Sequence, residues 1–98
     1  MHITIERSGG FTGMPLTFSI DTAYLPSEQA THLRHLVEAA DFFGFSTTLS
    51  APAQPDRFEY EVTVQEGDRK HTITVGEVAM PEQLKPLLRW VMATARQS

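Results

Sequence analysis

The sequence predicts an α+β domain of order β-β-α-β-β-α, a four-stranded, mainly antiparallel sheet with two helices packed on one face. Three observations predict it. Four short runs alternate apolar and polar residues at the period of a half-buried strand, and they come as two pairs. Each pair is joined by a Gly-containing turn. Each is followed by a stretch with apolar residues at helical spacing. Both helices and both hairpins therefore have one apolar side to bury, and placing the helices together on one sheet face buries all of them. The opposite face, rich in Thr and Glu, is left to water. A chain of 98 residues fits one domain, residues 1–98.

The first strand runs from His2 to Arg7, with Ile3 and Ile5 on one face and Thr4 and Glu6 on the other. The second runs from Leu16 to Asp21, with Leu16, Phe18 and Ile20 inward. Between them lies Arg7-Ser8-Gly9-Gly10-Phe11-Thr12-Gly13, three glycines around one phenylalanine. Glycine has no Cβ penalty at positive φ, so this segment can turn tightly or approach another backbone closely. The two strands around it pair antiparallel. Pro15 cannot donate to a ladder and delays the pairing.

Pro26 opens the first helix, and Glu28 favours the positive end of its dipole. Ala30, Leu33, Leu36, Val37 and Ala40 form its apolar stripe. The helix ends near Asp41 to Phe43, with Gly44 expected as the left-handed cap. Phe42, Phe43 and Phe45 follow as an aromatic cluster tucked under the core. Residues Ser46 to Arg57 carry Pro52 and Pro55 without a period and read as a surface loop. Phe58 to Gln65 is the clearest strand, Glu66-Gly67-Asp68 a hairpin turn, and Arg69 to Gly76 the returning strand. Met80-Pro81-Glu82-Gln83 echoes Leu25-Pro26-Ser27-Glu28-Gln29 and starts the second helix, which is regular from near Pro86.

Composition narrows the function. A net charge of −4 gives no basic footprint, which argues against nucleic acid and against an anionic membrane. There is no cysteine for a disulfide or a thiolate metal site. The first residues alternate at once, with neither a basic nor an apolar leader pattern, so a soluble, cytoplasmic chain is expected.

Chemistry-bearing constellations are weak. His32 and His35 share a helix side with Glu28 and Glu38, but that face reads as solvated and lacks a His-Glu-x-x-His pattern. No metal site and no cofactor are expected. Ser8 and Ser19 have no identifiable base, and Glu59 and Glu61 point outward, so no enzyme activity is expected. His71 reads as a satisfied core or edge histidine, and Trp90 as packing beside the last helix's stripe. The glycine loop leads into a strand rather than a helix, so it does not fit a phosphate cradle. What remains is recognition. Phe11 either folds over the end of its own sheet or serves as an aromatic anchor in a partner's pocket. Asp56-Arg57-Phe58 is either a loop clasp or a second contact patch.

Ile5-Glu6-Arg7-Ser8-Gly9-Gly10-Phe11-Thr12-Gly13, Asp21-Thr22 with Leu25-Pro26, and Leu36-Val37 with Ala40-Asp41-Phe42-Phe43 resemble the emfourin family. So do Pro55-Asp56-Arg57-Phe58, His71-Thr72-Ile73-Thr74-Val75 and Pro81 with the leucines after it. The Glu-Arg-Ser-Gly-Gly-Phe run is the most specific part. The resemblance implies a bacterial, non-enzymatic protein inhibitor of a protealysin-type, thermolysin-like zinc metalloprotease. Its interface is then expected at Arg7, Ser8, Gly9, Gly10, Phe11 and Thr12, with Asp56 and Arg57 at the rim. Separately, a monomer or weak homodimer is expected. The alternative is a regulatory interaction domain whose target is not a protease.

Overall fold

The computed structural model describes residues 1–9, 15–45, 48–49 and 57–97. Four long strands, β1 (His2–Gly9), β2 (Leu16–Asp21), β4 (Phe58–Glu66) and β5 (Arg69–Gly76), form the expected antiparallel sheet. Helix α1 (Ser27–Ala40) follows the first hairpin and α2 (Lys85–Thr94) the second. Two-residue strands, β3 (Thr48–Leu49) and β6 (Arg96–Gln97), add to the edges, giving the order β3-β5-β4-β1-β2-β6. β3 runs parallel to β5, so part of the stretch expected to be irregular shields a sheet edge instead.

β1 and β4 meet at the centre, with Ile3 opposite Val64 and Ile5 opposite Val62. All four side chains are fully buried. Ile20, Ile73 and Val75 extend this apolar surface, and Leu33, Val37, Leu84, Leu87, Leu88 and Val91 of the helical segments close it. Burying each Ile, Leu or Val contributes roughly 1.5–3 kcal/mol, so this one face carries most of the stability. The outer face bears Thr4, Glu6, Glu61 and Thr63, and Thr63 and Thr72 share a 2.9 Å hydroxyl bond across β4 and β5.

The left-handed residue after α1 is Asp41, with φ 52°, and not Gly44. Its N–H bonds the Glu38 carbonyl, and the backbone then tightens into a 3-10 turn over Phe42–Gly44. Asp tolerates this conformation better than most side chains. The turn sends Phe42 into the core, where it is fully buried. Beside it His71 donates from Nε2 to the Phe45 carbonyl at 2.7 Å; a carbonyl only accepts, so Nε2 carries the proton. The ring also stands edge-on to Phe42 at 5.7 Å. His71→Ala leaves that carbonyl without its donor and should destabilise the fold by about 1–3 kcal/mol, read from urea midpoints.

Candidate functional site

One end of the sheet gathers the segments that the sequence singled out. There β1 and β5 end while β2 and β4 begin. Gly9 pairs with Phe58, Arg7 with both Leu16 and Tyr60, and Glu59 with Gly76. Arg7, Ser8, Gly9 and Arg57 therefore come together although two hairpins supply them. Gly10, Phe11, Thr12 and Asp56 belong to the same two segments and lie outside the described residues.

Gly9 shows why its segment needs glycine. Its φ is 84°, and a Cβ built there would stand 2.7 Å from the carbonyl oxygen of Arg57. The close backbone approach foreseen from sequence is thus made here within the chain itself. It presses the stem of the β1–β2 connection against the start of β4.

Arg7 lies on the inward side of β1, half-buried. Its guanidinium carbon sits 4.5 Å from the Phe58 ring centroid and 6.0 Å from that of Phe18. These rings are its diagonal neighbours on the flanking strands, where long side chains reach one another. The cation over the nearer ring contributes about 0.5–1 kcal/mol at this degree of exposure. It ties three strands together immediately below the loop. Ser8, on the opposite side of β1, faces Glu59 across the ladder.

Arg57 and Phe58 are held in a clasp by Glu77. Glu77, in the 3-10 turn Glu77–Ala79 after β5, accepts the Phe58 N–H at 3.0 Å through Oε1. Its Oε2 lies 3.6 Å from the Arg57 guanidinium. Both side chains are partly exposed, so the charge pair itself is weak. The backbone bond fixes the start of β4 to this turn. Sequence reasoning missed Glu77, because 19 positions separate it from Phe58 and no local period links them. It missed Val78 as well, the exposed apolar residue of the same turn. Beside the turn an open groove of about 440 Å³ is lined by Tyr60, Glu77, Met80, Leu88 and Met92, among others.

Other candidates look different in three dimensions. Ser19 does have a neighbouring base, contrary to the sequence reading: His2 Nε2 is 2.9 Å from its Oγ, and His2 Nδ1 is 3.6 Å from Asp21 Oδ2. The second separation exceeds a hydrogen bond, and His2 and Asp21 are open to water. The group pins the start of β1 to β2; it does not present an activated nucleophile. Asp21 also accepts the Ala23 N–H at 2.9 Å, the main reason its carboxyl is held below the usual carboxylate range. The charge of the N-terminal amine and His2 add to that shift, against partial desolvation. Because the folded value is depressed, the linked stability is present at neutral pH. It is lost as pH falls from about 4 through the folded value. Asp21→Asn should therefore flatten the pH dependence of the melting temperature below about pH 4.

His32 stands edge-on to Trp90, with ring centroids 5.5 Å apart. Among the described residues no group of three His, Asp or Glu side chains is placed to hold a metal ion. On the open face Glu6 lies directly opposite Glu61, a like-charge pair turned to solvent. Among the described residues no helix is long and apolar enough to cross a membrane.

Compared with known proteins, residues 5–92 match the family model described as Emfourin. Neither a curated protein nor a solved structure matches the chain.

Proposed function

Because the chain belongs to the emfourin family of protease inhibitors, we propose that it blocks a thermolysin-like zinc metalloprotease by entering the active-site cleft with the Ser8–Thr12 loop. The family match across residues 5–92 carries this reading. The stem geometry supports it. Inhibition by a protruding segment needs that segment held before binding, so that little ordering entropy remains to be lost. Gly9 pressed on the Arg57 carbonyl and Arg7 stacked on Phe58 supply such a hold.

In this reading Phe11 fills the apolar pocket that such proteases use for the residue after the cut bond. The backbone of Gly9 and Gly10 lies along the cleft edge like an extended substrate. Arg57, already engaged by Glu77, contributes at the rim together with Asp56. The chain acts as a stoichiometric binder, with no catalytic step and no cofactor of its own.

Titration of the protein into a thermolysin-like protease with a peptide substrate tests this. Saturable loss of activity at a one-to-one ratio is the expected result. Full activity of a protealysin-type enzyme in the presence of a large excess of the protein would overturn it.

A further inference from the structure

We propose that Val78 is a second apolar contact with the protease, made outside its cleft by the same end of the sheet that carries the loop. The inference rests on the inhibitor reading above and adds to it a place and a partner chemistry: an apolar patch on the enzyme surface beside the cleft.

Among the described residues two large apolar side chains are conspicuously exposed, Tyr24 at 87% and Val78 at 59%. They stand at opposite ends of the sheet. Tyr24 follows the last residue of β2, whereas Val78 follows the last residue of β5, where Gly9 and Phe58 also lie. A single exposed valine needs no explanation by itself. Here three further observations set it apart. Its turn is anchored, because the neighbouring Glu77 holds the Phe58 N–H and faces Arg57. A groove opens beside its turn, with Tyr60, Met80, Leu88 and Met92 as the apolar part of its lining and Glu77, Lys85 and Arg89 as the charged part. Its position is continuous with the loop stem, because Arg57 touches both Glu77 and the backbone space of Gly9.

A partner held by the loop therefore meets an apolar knob on an anchored turn, beside an open groove of mixed apolar and charged lining. Methionine-lined surfaces of this kind adapt to varied apolar side chains. Once the loop has docked, the second contact is made at high effective concentration and acts mainly on the dissociation rate.

The test compares inhibition constants and dissociation rates of the full chain and three variants against one thermolysin-like protease. Val78→Asp places a charge in the contact and should weaken inhibition about tenfold, through faster release. Val78→Ala should weaken it by about threefold. Tyr24→Ser, at the far end, should change nothing. Melting temperatures are recorded for all, and an exposed turn residue should leave them unaltered. If Phe11→Ala abolishes inhibition while Val78→Asp inhibits like the parent, this inference falls and the inhibitor reading stands. If the parent protein inhibits no such protease, both fall. If Val78→Asp only converts a self-associated form to monomer, with inhibition intact, the side chain serves a second copy and the proposal is overturned.

Discussion

Replacing Phe11 by Ala should raise the inhibition constant toward a thermolysin-like protease at least tenfold while leaving the melting temperature nearly unchanged. The expectation follows from what a large ring on a Gly-rich connection can do. A benzyl side chain that enters a partner's pocket is the kind of group whose truncation costs about 2 kcal/mol or more. Each tenfold in affinity corresponds to about 1.4 kcal/mol. Phe11→Leu, which keeps most of the apolar volume, should retain most of the inhibition. The competing possibility is that the ring covers its own sheet. In that case Phe11→Ala would lower the melting temperature, and the inhibition constant would move only as far as the fold is lost. Measuring both quantities on both variants separates the two outcomes, and a stable Phe11→Ala protein that inhibits as well as the parent would remove this residue from the interface.

The second large effect is expected at Gly9, where Ala should destabilise the fold by about 2–4 kcal/mol. Two penalties combine there. An L-residue at φ 84° is strained by about 1–3 kcal/mol, and its Cβ would lie 2.7 Å from the Arg57 carbonyl oxygen. That oxygen belongs to backbone at the start of β4, so it cannot rotate aside as a flexible side chain would. Gly67 supplies the control. It also has positive φ, 58°, but nothing lies within 4 Å of its Cβ position. Gly67→Ala should therefore show the conformational penalty alone, about 1 kcal/mol. The difference between the two variants in urea midpoints reports the backbone contact together with the greater strain at the larger φ. Gly9→Ala should also weaken inhibition by more than its stability loss explains, because the displaced stem carries the loop. Equal destabilisation at the two glycines would show that the contact with Arg57 is not holding the stem.

Much of the architecture was legible in the residues. Alternation at Ile3/Ile5, at Leu16/Phe18/Ile20 and at Tyr60/Val62/Val64 defines strands and their buried side, because the side-chain period of a strand is two. The stripe Leu33, Val37 and Ala40 does the same for α1. Local chemistry located the end of that helix near Asp41 but not its left-handed residue. Gly44 looked like the cap, but a left-handed Asp41 satisfied the turn, and Gly44 instead packs where a Cβ would meet the Asp41 carboxylate at 2.6 Å. Ser19 gained its histidine neighbour only through the antiparallel register that sets β2 beside β1.

By itself, the sequence determined which residues face the core, where the two hairpins turn, and the family to which the chain belongs. Those properties live in periods and motifs of a few residues, and adjacent residues suffice to express them. Tertiary structure alone decided that β1 and β4 lie side by side at the centre of the sheet. It thereby decided that Gly9 rests on Arg57, and that Glu77 and Val78 stand beside the loop stem. A strand's periodicity specifies its inner face but not its neighbour, since every strand here offers a similar apolar side. The neighbour is chosen by the joint burial of both hairpins under two helices, a condition no single segment contains.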